Sequence, residues 1–191
     1  MNDPTYDRPA TRPTRRVQRV PETWPVVHLE ADPPRWSCLT VGGLVRSSGR
    51  FDLAALRELG PVRLNLAVHC VWGWSRPRVT WDGVPLGRLL ETAGVDPTAT
   101  HAVIEAASDT YSSCLPLEDA VRGMLAWARD GEILSDEGGG PLRYVGPPTY
   151  WGYKGVKWAS QVRLTDRFTA GFWESKVADP FGRIPEEIEL P

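Results

Sequence analysis

Between residues 62 and 68 the side chains alternate: Val62, Leu64, Leu66 and Val68 against Arg63, Asn65 and Ala67. A period of two predicts one half-buried strand, and that strand delivers the chain directly to His69-Cys70. A residue at a strand end stands on a rigid scaffold while its side chain can face a cleft.

The rest of the chain is cut into similarly short segments. Residues 36–45 alternate loosely and end at Gly42-Gly43, a strand and turn. Asp52 caps a short helix with Leu53, Leu56 and Leu59 at helical spacing, stopped by Gly60-Pro61. Residues 85–93 form a second helix with Leu86, Leu89 and Leu90 inward and Gly94 as its stop. Residues 101–107 form a strand. A third helix is expected from Pro116 to about Asp130, with Leu117, Val121, Met124, Leu125 and Ala128 on one face. A glycine loop, Gly138-Gly139-Gly140-Pro141, precedes a short strand over residues 142–145, and an aromatic-rich loop runs to Gly155. Residues 156–164 alternate again, with Val156, Trp158, Ser160, Val162 and Leu164 on one face. No βαβα rhythm and no internal repeat is present. The pattern predicts a mixed, β-rich α+β single domain over residues 34–175, after an extended arm (1–33) and before a surface tail (176–191).

A chain of 191 residues with net charge -2 can bury one sizeable core and lacks the concentrated basic face of a nucleic-acid binder. The arginines at 8, 12, 15, 16 and 19 read as a solvated terminus. No apolar run reaches the roughly 18 residues of a membrane span. Arg15-Arg16 has the arginine pair of an export signal, but no apolar stretch follows it, so a cytoplasmic location is expected. Three widely spaced cysteines argue against a disulfide framework, and neither CxxC nor CxxCH occurs. Of nine tryptophans, Trp72, Trp74, Trp81, Trp151 and Trp158 lie close to the motifs below. Indoles suit the wall of a buried polar pocket, and equally an ordinary core.

Cys70 has four readings: an inert buried thiol, a nucleophile activated by His69, a zinc ligand, or a thiolate for a soft metal. Neighbours on a strand face opposite ways, which separates Cys70 from His69, and few zinc ligands stand nearby. The last reading expects the positive charge of Arg76 and Arg78 to lower the thiol pKa. Two further segments carry an arginine and two lysines beside glycines: residues 138–143, ending in Arg143, and residues 153–158, with Lys154, Gly155 and Lys157. Arginine, lysine and glycine N–H groups together suit a phosphorylated cofactor, although neither segment is a nucleotide-binding fingerprint.

The motifs occur in a telling order. His69-Cys70-Val71-Trp72-Gly73-Trp74-Ser75 is followed by Trp81-Asp82-Gly83-Val84-Pro85-Leu86, Ser108-Asp109-Thr110-Tyr111 and Leu115-Pro116-Leu117-Glu118-Asp119-Ala120. Leu125-Ala126, Gly140-Pro141-Leu142-Arg143, Tyr153-Lys154-Gly155-Val156-Lys157-Trp158 and Gly171-Phe172-Trp173-Glu174 complete the series. Over residues 20–175 this resembles the molybdopterin-binding domain of the sulfite oxidase superfamily, especially its short bacterial members. The resemblance implies that Cys70 is the protein's thiolate on molybdenum. It also implies that Arg143, Gly155, Val156 and Lys157 hold the pterin and its phosphate, with contacts from Ser108, Asp109 and the arm near Arg19. Trp127 replaces a tyrosine found near the metal in animal and plant enzymes, which makes it a catalytic candidate beside Cys70. Gly138 stands where many relatives have His or Asn.

The implied protein is a molybdenum–molybdopterin oxidoreductase. It transfers an oxygen atom to or from a small-molecule substrate and exchanges electrons with an external one-electron carrier, as a monomer. A non-catalytic pterin-binding or interaction module of the same fold is the alternative suggested by Gly138 and Trp127. An enzyme like the methionine sulfoxide reductases is a further one.

Overall fold

The computed structural model describes Trp24 and residues 32–108, 110–177 and 179–185. The expected cofactor contacts Arg19 and Asp109 lie outside the described residues. Along the chain come β1 (Leu39–Gly43), β2 (Gly49–Phe51), α1 (Leu53–Glu58), β3 (Val62–Asn65), β4 (Val68–Cys70), β5 (Trp74–Arg76), β6 (Thr80–Pro85) and α2 (Leu86–Ala93). They are followed by β7 (His101–Ala106), β8 (Ser112–Pro116), α3 (Leu117–Ala120), β9 (Met124–Arg129), β10 (Glu132–Ile133), β11 (Arg143–Val145) and β12 (Ala159–Thr165).

One sheet has the order β2-β1-β12-β7-β8, in which β1 and β12 are parallel and the other pairs antiparallel. The second runs β10-β9-β6-β3, with β11 also on β9, and the β4–β5 hairpin stands apart. The main core joins Leu39, Val41, Ile104, Val162 and Leu164 of the first sheet to Val84, Leu125 and Tyr144 of the second, with Leu56 of α1 and Leu86, Leu89 and Leu90 of α2. The opposite face of the second sheet carries a smaller core of Val68, Val79, Trp81, Met124, Ala126, Leu134 and Val145. It is this smaller core that borders the hairpin of Cys70.

The β-rich single domain agrees with the sequence reading, as do α1 and α2. Asp52 caps α1 by accepting from the Ala55 N–H at 2.8 Å, a contribution of about 1 kcal/mol. Three expectations are corrected. The predicted strand over 62–68 is two: β3 pairs with β6, whereas β4 leaves that sheet to pair with β5. The predicted helix over 116–130 stops after the four residues of α3, and Met124 onward is β9. Met124 to Ala128 are all buried, and a strand covered on both faces reads as a continuous apolar run, which periodicity confuses with a helix. Gly123 makes the junction, because a Cβ there would stand 2.5 Å from Tyr144 Oη and 2.6 Å from the Val145 carbonyl. In the segment 156–164 the strand begins only at Ala159, after Trp158 at φ 51°, and the register shifts between Ala159 and Gln161. That irregularity breaks the single face predicted for Val156 through Leu164.

Candidate active site

In the β4–β5 hairpin Cys70 pairs with Trp74, His69 with Ser75 and Val68 with Arg76. Paired residues share a face, so Cys70, Trp74, Val68 and Arg76 stand on one side and His69 and Ser75 on the other. The turn is closed by the Gly73 N–H on the Cys70 carbonyl at 3.0 Å, with Gly73 at φ +83°. His69 Nδ1 meets Ser75 Oγ at 2.6 Å, both residues are buried, and burial lowers the His69 pKa. A neutral imidazole on the far face activates no thiol at Cys70. The cationic neighbours do not lower the Cys70 pKa either. Burial pushes it up to about 11, outweighing the favourable Trp72 N–H. That expectation is corrected: a thiolate at Cys70 would need the charge of a bound metal, which deprotonates a ligating thiol outright.

A cleft opens beside the hairpin, walled by Val68, Trp81, Arg143, Tyr150 and Trp151 and floored by Gly146, Gly152 and Gly155. The backbone comes close here. A Cβ on Gly152 would stand 3.0 Å from Val68 Cγ1, and one on Gly155 3.1 Å from the Tyr144 carbonyl. Arg143 lies on β11 opposite Ala126, which places it on the face of the smaller core. Its Nη1 donates to the Gly138 carbonyl at 3.0 Å, and its guanidinium lies 5.7 Å from the Trp81 ring centre. The carbonyl at Gly138 is thus engaged by Arg143 itself. Burial first, and the charge of Arg129 second, push the Arg143 pKa down to about 10. Arg129 lies 4.3 Å from the Trp24 ring, and its buried Nη1 has no hydrogen-bond partner among the described residues. Trp24 stands edge-on to Trp74 and Trp81 at 6.2 and 5.9 Å.

Among the described residues no carboxylate forms an ion pair with Arg143 or Arg129. Arg129 is half-buried and has Asp130 and Glu132 near it, whereas Arg143 is buried. A buried cation without an ion pair is costly, and a phosphate would supply what Arg143 lacks. A mostly buried thiol, a buried guanidinium without an ion pair among the described residues and a glycine floor therefore fit a phosphorylated pterin that carries a thiophilic metal.

The other predicted residues divide. Lys157 joins Arg143: its Nζ donates to the Glu137 carbonyl at 2.9 Å, and a Cβ on Gly139 would clash with its stem at 2.5 Å. Both cations thus meet the 137–139 loop. Ser108 is close by, since the neighbouring Ala107 N–H donates to the Trp158 carbonyl at 2.9 Å, and Ser108 Oγ bonds Thr110 Oγ1 at 3.0 Å. Val156 is fully buried, and its N–H and carbonyl both bond Tyr144, at 2.9 and 2.8 Å. It holds the loop in place and presents no group to a ligand. Lys154 is likewise withdrawn from any phosphate, in a buried pair with Glu174 at 2.5 Å. Trp127 is not brought to Cys70: it packs into the main core, on the face of β9 opposite Arg143, with Arg57 5.6 Å from its ring.

Sequence reasoning missed Arg129, Trp24 and the contact between Tyr150 and Asp119. Arg129 was hidden by the helical reading of residues 116–130, and Trp24 by an arm without periodicity.

Residues 24–173 match the family described as the oxidoreductase molybdopterin binding domain. The chain is 34% identical over 164 residues to an uncharacterised oxidoreductase, YuiH, of Bacillus subtilis, covering 82% of this chain and 81% of that one. It is 32% identical over 169 residues to the protein-methionine-sulfoxide reductase catalytic subunit MsrP of Gluconobacter oxydans, covering 78% of this chain and 53% of that one. The sulfane dehydrogenase SoxCD of Paracoccus pantotrophus has a similar structure, with a TM-score of 0.62 and 25% identity, over 74% of this chain and 40% of that one. The chain thus spans only about half of the reductase and less of the dehydrogenase.

Proposed function

The chain belongs to the oxidoreductase molybdopterin-binding family, enzymes that carry molybdenum on molybdopterin, and from that premise we propose that it transfers an oxygen atom between a small substrate and water. An external carrier exchanges the electrons one at a time. The observation that carries this reading is a mostly buried Cys70 beside a cleft whose buried Arg143 has no carboxylate partner among the described residues. The bound group supplies the redox change and the oxygen-transfer chemistry. Cys70 fixes the metal end. Arg143 and Lys157 hold the phosphate end, Gly155 lets the backbone approach, and Ser108 lies close by; Asp109 and Arg19 are cofactor contacts in the same reading. Val68, Trp81 and Trp151 exclude water from the reacting space.

The likeness to a methionine sulfoxide reductase favours S-oxides as the substrate class, reduced in the direction that consumes electrons. A cytoplasmic location and a monomeric state belong to the same proposal. Fractionation and light scattering of the full-length protein check them. The test of function is protein purified from a molybdenum-replete host and supplied with a reduced dye. Dye oxidation that depends on methionine sulfoxide or another S-oxide is expected. Loaded protein that turns over no S-oxide, no N-oxide and no sulfite defeats the reading.

A further inference from the structure

Three side chains that line the cleft can carry a proton: Arg143, Tyr144 and Tyr150. The guanidinium of Arg143 keeps its proton near neutral pH. The two tyrosines are anchored differently. Tyr144 Oη donates to the Ala120 carbonyl at 3.0 Å, an acceptor that suffices to fix a ring in a wall. Tyr150 Oη donates instead to Asp119 Oδ2 at 2.7 Å. Both residues are buried, at 3% and 5% exposure. The same carboxylate oxygen accepts from Arg183 Nη2, and the Arg183 side chain is 57% exposed. Arg122 Nη1 stands 3.9 Å from the other oxygen and is also largely in water. The groups that face this pair are Arg183, Arg122 and Tyr144. Asp119 thus connects the solvent-exposed Arg183 to Tyr150, a residue that also lines the cleft. The cleft end lies near the hairpin, because Trp151, the next residue, bridges to His69.

Reducing an S-oxide takes two electrons and two protons and yields the sulfide and water. The electrons come from the external carrier, and the protons must enter a cleft with apolar walls. We propose that Asp119 and Tyr150 form the proton relay that serves this cleft. With Asp119 ionised the Oη proton points at Asp119 Oδ2. Once Asp119 takes a proton from solvent beside Arg183, the Tyr150 hydroxyl turns toward the cleft, accepts the Asp119 proton and releases its own inward. No atom is gained or lost along the path. The inference rests on the oxygen-transfer reading above.

Two measurements test it. In the cofactor-free protein, the Tyr150 Cζ NMR resonance is expected to move in Asp119→Asn, which removes the carboxylate that Oη bonds. A resonance unmoved by that substitution breaks the path. In the loaded protein, Tyr150→Phe keeps the ring and its molybdenum but slows S-oxide reduction by about 100-fold, the lower end for positioned proton transfer, with an enlarged solvent deuterium isotope effect. Tyr150→Phe at the parental rate and isotope effect overturns the relay. Inactivity of the parental loaded protein would instead defeat the functional reading, leaving the NMR result to judge the path by itself.

Discussion

Lys154 Nζ and Glu174 Oε1 stand 2.5 Å apart with both side chains about 1% exposed, one from the loop beneath the cleft and the other from the segment after β12. Lys154 also donates to the Cys114 carbonyl at 2.8 Å and to the Pro180 carbonyl at 3.0 Å. Glu174 accepts from Ser113 Oγ at 2.8 Å and the Cys114 N–H at 2.9 Å. The pair ties the cleft loop to β8 and to the chain after Glu174. Burial lowers the Lys154 pKa, and Glu174 opposes that shift. Breaking such a pair strands a buried charge, at about 3–5 kcal/mol. Lys154→Met is therefore expected to lower Tm by roughly 10 °C. Lys154→Met with Glu174→Gln removes both charges and recovers more than half of the loss. Calorimetry checks both, and additive losses would show that the two groups are not coupled.

Arg143 behaves oppositely. Its charge is buried against Arg129 with no carboxylate paired to it among the described residues, so it costs stability until an anion arrives. Arg143→Leu is expected to leave the cofactor-free protein as stable as the parent or more so. The same change weakens pterin binding by about 10- to 100-fold, equivalent to the roughly 1.5–3 kcal/mol of hydrogen bonds to a charged group. Thermal melting and pterin fluorescence after oxidation report the two effects separately.

Trp127 contributes packing. Trp127→Phe trims a ring that is buried in the main core beneath Arg57, so it costs about 1–3 kcal/mol with unchanged molybdenum content. Melting and metal analysis of the same preparation check this.

Alkaline pH should unfold the protein through its buried tyrosines. Burial raises the pKa of Tyr144 and Tyr153 well above the ordinary 10 and pushes Tyr150 up to about 12. Groups raised in the folded state contribute stability that is complete below pH 10 and is lost as pH climbs toward 12 and beyond. Near-ultraviolet titration is expected to show tyrosinate from these residues appearing together with unfolding. Gradual ionisation near pH 10 with the fold intact would contradict the burial.

How far the sequence could be read depended on how local each signal was. The cap at Asp52 and the glycine stop at Gly94 are decided within a few residues, and α1 and α2 were legible. Met124 to Ala128 became a strand because β6, β10 and β11 pair with it from far along the chain, and no window of sequence carries that information. The same limit applies at the site. Motifs singled out Cys70 and Arg143 without reference to the fold. The choice between Lys157, which meets the 137–139 loop, and Lys154, which meets Glu174, depends on a turn and a distant carboxylate. Arg129 was invisible because its face follows from the strand, not from its neighbours.

The most direct test of the account is the molybdenum content of three single-cysteine variants expressed in a molybdenum-replete host. Cys38, Cys70 and Cys114 are all free thiols. Only Cys70 stands at the strand end on the face shared by Val68, Trp74 and Arg76. Cys70→Ala is predicted to fold and lose the metal, while Cys38→Ala and Cys114→Ala retain it at the parental level. Molybdenum retained in Cys70→Ala, or lost equally from all three, would contradict the assignment of Cys70 as the ligand.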